Sequence, residues 1–493
     1  LAARTPIFPA IARWFVLSEL NLLALWFHFY TKANMPAVIA IDPVTRLEGH
    51  LKVELALDGP AAAQKVSEAR MMGTLFRGLE ELLTGRDPWD APHITQRICG
   101  VCPIPHALAA VLALDQAAGQ GIPANARILR NLVLAANFIQ SHLLHFYQLA
   151  LLDYASGPAR APFMPEWKVD RRLAGPANAR LVEHSTAALR MARMAQEMGA
   201  VFAGKMPHSP AFVPGGFTAV PAAGHIQQFI ILGQELLGFI KTVYTEDVEL
   251  VAAAYPEYTE LGRGYGHLLA LGAFETGAGE SMFRRGLVLE GQTAVVPLDV
   301  AAITEQVACS WYDASSVPLP PSSGPTKPAI PKADAYSWIK APRYQGTPFE
   351  TGPLARMWIS GKYRRGISTM DRHRARAVET KLIAEAMLDW ARQLELGQPV
   401  WAPSPTPATA QSAGLTEAPR GALGHWLRIE KGKIAHYQII TPTGWNASPR
   451  DAAGQPGPLE QALWGIPVAD RNQPIEVLRV IHSFDPCLAC AVH

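Results

Sequence analysis

The sequence predicts an α+β fold that is mainly helical, with a central bundle of long helices and small flanking β-sheets. Three observations predict it. Apolar residues recur at helical spacing over 125–155, 177–204, 225–255 and 372–396, runs too long for strands. Near the start, Leu51, Val53, Leu55 and Leu57 alternate with Lys52 and Glu54, the pattern of a half-buried strand. Near the end, His425 to Glu430 and Lys433 to Ile440 read as two strands joined at Lys431-Gly432, a hairpin.

Composition bounds the partners. The 493 residues allow about three domains or one large unit with insertions. Apolar residues make up 49% and charged residues 17%, against roughly 25% charged in ordinary soluble domains, so part of the surface is expected to be covered by an obligate partner. The net charge of +2 and the lack of a basic stripe exclude nucleic acid or an acidic membrane surface as the main ligand.

Taken in order, residues 14–30 form an aromatic, apolar run containing Glu19, Asn21 and His28, short of the about 20 residues of a membrane span and without a small-residue cleavage site. It reads as an extension over 1–34, outside the mature protein, rather than a signal or anchor; residues 35–493 form the working domain. Ala37 to Ile41 begins the first strand. Thr74 to Leu83 is expected to be a helix with Leu75, Phe76, Leu79, Leu82 and Leu83 on one stripe and Gly85 as its stop. Pro105 and His106 open a helix through Ala118, closed by Gly119 and Gly121. Asn125 to Ala155 is apolar nearly all round, as in one long buried helix. The proline-rich stretch Pro318 to Pro331 reads as an extended surface connector, and Pro399 to Pro407 is a second.

The chemistry concentrates in two Cys-x-x-Cys pairs, Cys99/Cys102 and Cys487/Cys490, almost at opposite ends of the chain. Each pair presents two thiolates from one turn, and two pairs together make a four-sulfur site for structural zinc, an iron-sulfur centre, or nickel and iron. Zinc ribbons keep their pairs about 15–20 residues apart. A pair of pairs spanning the chain suits a large buried catalytic centre whose assembly closes the fold. The fifth cysteine, Cys309, reads as a small packed hydrophobe.

These residues carry a resemblance. Arg97-x-Cys99-Gly100-x-Cys102-x-x-x-His106 and Asp485-Pro486-Cys487-x-x-Cys490-x-x-His493 resemble the two cysteine signatures of the large subunit of nickel-iron hydrogenases. Asp42 to His50, Phe76-Arg77-Gly78-Leu79-Glu80 and Glu417 to Leu423 resemble three further signatures, in family order. Gln140 to Tyr147, Gly204 to His208 and Cys490-Ala491-Val492-His493 look most like the nickel-iron-selenium branch, with Cys487 where that branch carries selenocysteine.

The resemblance implies reversible oxidation of hydrogen to two protons and two electrons. It implies that Cys99, Cys102, Cys487 and Cys490 bind nickel, and that Cys102 and Cys490 bridge to an iron carrying carbon monoxide and cyanide. Glu48 matches the proton-relay carboxylate beside Cys487. Arg420 matches a guanidinium over the open metal position, with Pro419 and Asp485 beside it. Glu80, His493 and the backbone carbonyl of Ile439 match a magnesium-type site that iron could also fill. Many relatives carry a tail that is removed after the residue matched by His493; this sequence is either such a mature form or one that never had the tail.

With no cysteines left for relay clusters, the implied partner is an iron-sulfur small subunit in a heterodimer, hydrogen and protons are the substrates, and any membrane contact runs through partners. The periplasm or cell envelope is the implied compartment, reached with the small subunit. Ser141 stands where many relatives have aspartate, and the segment between Trp358 and Arg372 is shorter than in relatives. His142 and His145 suit either proton transfer or a satisfied core. A hydrogen sensor is the principal rival; a quinone-binding respiratory subunit lacks the four cysteines, and a zinc-stapled structural protein is the weakest.

Overall fold

A computed structural model describes residues 37–493, apart from 61, 62, 162, 278, 291, 314–317 and 325. The expected extension over 1–34 lies outside the described residues. Strands β1 (Ala37–Val44), β2 (Leu51–Asp58) and β3 (Gln64–Gly73) form an antiparallel sheet with β2 in the middle, and the short strand Pro467–Val468 pairs with the far edge of β3. Leu51, Val53, Leu55 and Leu57 all point into the core, as the alternation requires. They pack against the helix Ile475–Phe484, so the first sheet and the last long helix share one apolar cluster. The first and last described parts of the chain meet there.

The segment after β3 departs from expectation. Only Leu79–Leu83 (α1) is helical, because Gly78 takes a left-handed conformation (φ 65°) that breaks any helix arriving from Thr74. Leu75 and Leu82 are left near half exposed, while Leu79 and Leu83 are buried. Helix α2 (Pro103–Ala118) starts with prolines in its first turn, where no backbone N–H is needed, and ends on left-handed Gly119.

The long runs fold as helices α3 (Ala124–Leu144), α4 (Gly175–Ala203), α5 (Ala223–Phe239), α6 (Thr245–Ala254) and, after a short unexpected helix α7 (Pro353–Ile359), α8 (Thr369–Arg392). α3 packs on α4 and α8, α4 on α5, and α5 on α8. Ser368 and Asp371 form a capping box that starts α8. Two runs expected as single helices are interrupted. After α3 the chain passes through a π-helical segment, His145–Ala150, and a 3-10 turn, Leu151–Asp153; after α5 a second π segment, Ile240–Tyr244, leads into α6. The two segments meet through Phe146, Tyr147 and Tyr244. A π turn re-aims side chains without ending the helical rod, and periodicity alone cannot show it.

Near the C-terminus, β4 (Thr409–Ala418), β5 (Gly421–Glu430) and β6 (Lys433–Ile440) form a three-stranded antiparallel sheet. The hairpin at Lys431-Gly432 has the expected two-residue turn, with both residues left-handed (φ 52° and 70°). β4 was not expected: its small residues carry little strand signal. Their smallness has a use, because a Cβ on Gly414 would lie 1.8 Å from the Ala109 carbonyl oxygen, so glycine lets β4 press against α2. The Pro318–Pro331 stretch is more than a surface connector. Leu319 and Pro328 bridge to Glu305 and Tyr312, and the Thr326 hydroxyl reaches the buried Glu80. Cys309 is half-buried and lies apart from the other four cysteines.

Candidate metal centre

Cys99 follows a 3-10 turn, Cys102 caps the start of α2, Cys487 caps the last short helix, Leu488–Ala491, and Cys490 lies within it. All four are buried and reduced, with sulfurs within 4.8 Å of one another. Sγ of Cys99 lies 3.5 Å from that of Cys487, Cys102 is 3.3 Å from Cys490, and Cys487 is 3.0 Å from Cys490. The backbone shapes this cluster: the N–H groups of Val101 and Cys102 donate to Cys99 Sγ, and the Cys487 N–H donates to Thr443 Oγ1.

The sulfurs cannot all ionise together. Hydrogen bonds from Cys102, Cys487 and Cys490, with help from Arg420, hold Cys99 well below the usual thiol range, while burial pushes Cys487 and Cys490 well above it. Four soft donors converging in a dry site therefore call for a cation to release the remaining protons.

Glu48 reaches the cluster through the backbone. It forms a parallel bridge to Cys487, and its carbonyl accepts the Leu488 N–H at 2.7 Å. Gly49 makes this approach possible: it is left-handed (φ 88°), and a Cβ there would lie 2.5 Å from the Ala489 nitrogen. Burial and the Cys99 sulfur raise the Glu48 carboxyl above its ordinary value, against Arg420 and Arg77. Such a group holds and releases a proton nearer neutral pH than an exposed glutamate.

Arg420 sits with Pro419 in the two-residue turn between β4 and β5. The turn is pinned where Gly352 and Gly421 cross, since a Cβ on Gly421 would lie 2.3 Å from Thr351 Oγ1. The Arg420 guanidinium is buried, with one nitrogen 3.1 Å from Asp485. Against the cost of burial, Asp485 and three of the cysteines hold it firmly charged. Its Nε and Nη1 have no hydrogen-bond partner among the described residues. Buried donors without acceptors, beside four sulfurs, fit a bound metal centre that carries acceptor ligands.

Behind this turn lies a network that the sequence reading missed. Arg356, fully buried, donates to both carboxylate oxygens of Glu379, to Glu417, and to the carbonyls of Ala418 and Pro419. Glu379 also meets His142 at 2.9 Å. His142 thus pairs at Nε2 and is kept neutral by burial, which lowers it to about 4, while its Nδ1 has no partner among the described residues. His145 meets the His482 carbonyl at 2.6 Å and stacks on His373. The Ser141 hydroxyl has no partner among the described residues. A charged residue inside the apolar helix α7 was the one available signal of this network.

Glu80, His493 and Ile439 also come together. Glu80 Oε1 accepts the Ile439 N–H at 2.8 Å and meets His493 Nε2 at 3.0 Å, while Oε2 takes Lys340 and the Thr326 hydroxyl. His493 Nδ1 meets the carbonyl of Cys490 at 2.6 Å, tying this corner to the thiols. Although Glu80 is buried, Lys340 and His493 hold its carboxyl well below the usual range. Glu305 lines the same small cavity and is pushed by burial to about 7. The Ile439 contact seen here runs through its N–H; Lys340, Thr326 and Glu305 are additions that motif reading did not supply.

Comparison with known proteins places this geometry. A family profile described as nickel-dependent hydrogenase matches residues 77–161, 155–366 and 361–493, and a HoxL-like profile matches 38–72. The periplasmic NiFeSe hydrogenase large subunit of Desulfomicrobium baculatum is 40% identical over 492 residues, covering 92% of this chain and 94% of that protein. The hydrogenase-2 large chain of Escherichia coli is 31% identical, covering 92% and 97%. Among solved structures, the reduced Ni-Fe-Se hydrogenase of D. vulgaris Hildenborough superposes with a TM-score of 0.89 at 40% identity, covering 93% of this chain and all of that one.

Proposed function

Since the chain belongs to the nickel-dependent hydrogenase large-subunit family, we propose that Cys99, Cys102, Cys487 and Cys490 hold a nickel-iron centre. In this reading all four would hold the nickel, and Cys102 and Cys490 would also hold the iron, which would carry carbon monoxide and cyanide. The observation that supports it most is the convergence of four buried thiols beneath a buried guanidinium with unpartnered donors. When bound, the centre supplies the Lewis acidity and redox capacity for reversible hydrogen oxidation.

The protein's own residues then have three tasks. Glu48 takes the proton from the Cys487 side and passes it outward; its raised carboxyl suits a group that must both accept and release. Arg420 offers a fixed positive charge that lysine, a mobile point charge, would not reproduce; Pro419 shapes its turn and Asp485 orients its head. Glu80, His493 and the Ile439 carbonyl would hold a magnesium or iron ion: the two oxygens suit a hard cation, the imidazole leaves room for iron, and Glu80 and His493 already lie side by side.

Electrons need a path that this chain does not provide, since its fifth cysteine lies apart from the other four. They leave through an iron-sulfur small subunit, and the pair works in the periplasm or cell envelope. A periplasmic relative supports that compartment, and no helix among the described residues is long and apolar enough to cross a membrane. Residues 35–493 act as one catalytic domain. The test is an infrared spectrum of the purified complex under argon and then under hydrogen. Bands of metal-bound carbon monoxide and cyanide that shift under hydrogen are expected; folded, metal-loaded protein without either band would overturn the nickel-iron assignment.

A further inference from the structure

Glu48 ends a loop whose other end is held by a buried group of charges. Arg46 is left-handed (φ 58°), and its guanidinium donates to the Leu149 carbonyl and to Asp153 Oδ1. Asp153 Oδ2 faces Nδ1 of His482 at 2.7 Å. Nε2 of the same ring faces the carbonyl of Thr45 at 3.0 Å. Asp153, though buried, is held well below the usual carboxylate range by Arg46 and His482, so it is ionised and accepts only. A backbone carbonyl also accepts only. Both ring nitrogens of His482 are therefore engaged, Nδ1 by Asp153 and Nε2 by the Thr45 carbonyl. Its side chain is 1% exposed, so water does not supply either bond.

The placement gives this arrangement a meaning. His482 lies in the helix Ile475–Phe484, which runs directly into Asp485 and Cys487. Upstream of Cys487, His482 grips the loop at Thr45; downstream, the Leu488 N–H grips it at the Glu48 carbonyl. The loop is pinned at two points, one on each side of the thiol it serves.

We propose that His482 is a positioning residue that fixes the Glu48 carboxyl relative to Cys487, through Thr45 on one side and the Asp153–Arg46 pair on the other. The inference rests on the reading of Glu48 as the proton relay. Without the upstream pin, the loop keeps its Leu488 bond but can pivot about it. A misplacement of about 1 Å in a reacting group costs about a hundredfold in rate.

The test uses the purified heterodimer carrying His482→Ala, His482→Gln, Glu48→Gln or the double change His482→Ala/Glu48→Gln. Nickel content, hydrogen-driven dye reduction and the infrared carboxyl band that Glu48→Gln removes are measured on each. The expected result for His482→Ala is full nickel, a turnover loss of about ten- to a hundredfold, and a shifted Glu48 carboxyl band. His482→Gln, which keeps one donor, falls between it and the wild type. The double variant is no slower than Glu48→Gln, because the pin acts only through that carboxyl.

Wild-type turnover with an unmoved band in His482→Ala overturns the proposal, as does a double variant whose loss is the product of the two single losses. Should His482→Ala fail to retain nickel, His482→Gln carries the same comparison. Wild-type turnover in Glu48→Gln overturns the relay reading itself. Slow Glu48→Gln beside unimpaired His482→Ala overturns the positioning role alone.

Discussion

Two polar corners lie side by side at the end of this chain, and they are satisfied in opposite ways. At the thiol corner four sulfurs face one guanidinium, and two of its nitrogens have no acceptor among the described residues. At the Glu80 corner both carboxylate oxygens are occupied, by a backbone N–H, an imidazole, an ammonium and a hydroxyl. The first is a donor set that awaits a charge from outside. The second already draws one counter-charge from within, Lys340, so an outside cation there is less strongly called for. Burial is common to both, so what separates them is whether the protein provides the counter-charge.

The largest effect should come from breaking the first corner. Cys490→Ala, which removes a sulfur 3.0 Å from one neighbour and 3.3 Å from another, is expected to abolish nickel retention and hydrogen oxidation together, as read by metal analysis and dye reduction. A variant that keeps nickel in full would show that this sulfur is no ligand.

Next comes the relay. Glu48→Gln should retain the metals and lose about 10²- to 10⁴-fold in turnover, the range for removing a general acid or base. Arg420→Lys keeps a charge but not the planar donor set; a loss of about 10²-fold with nickel retained is expected, and wild-type rates would refute a special role for the guanidinium.

The smallest effect belongs to the Glu80 corner, and it is seen in stability rather than rate. The Glu80 carboxyl is depressed in the folded protein, so the stability it contributes is present above its unfolded value of about 4.3 and is lost as pH falls through the folded value. Glu80→Gln should lower Tm at neutral pH and flatten the acid decline below about pH 4. A parallel acid decline in both proteins would mean that the Lys340 and His493 contacts contribute nothing net.

Much of this was legible before any coordinates. Cys-x-x-Cys pairs are local and mark a thiolate metal site, though not which metal, and the alternation in β2 and the two-residue turn at Lys431-Gly432 are equally local. What escaped is partly backbone detail and partly long-range. Gly78 breaks a helix whose spacing looked sound, and the π segments keep the hydrophobic pattern while changing the hydrogen bonding. Thr326 was hidden in a proline-rich stretch with no hint of its partner. Arg356 illustrates the general reason: its carboxylates lie 23 and 61 residues away, and a pair's distance in space leaves no mark in either residue's neighbourhood.

The 388-residue separation between Cys99 and Cys487 sets a clock on biosynthesis. The first two thiols emerge from the ribosome with their partners still unmade, and at about 5–20 residues per second they wait tens of seconds for them. During that interval the half-built pair is a reactive, solvent-accessible dithiol with nothing to hold. The slot beside Gly49, which admits only a bare backbone, stays open until the final residues seat against it. Shielding those early thiols from oxidation and from stray metal is therefore a task for something other than the finished fold.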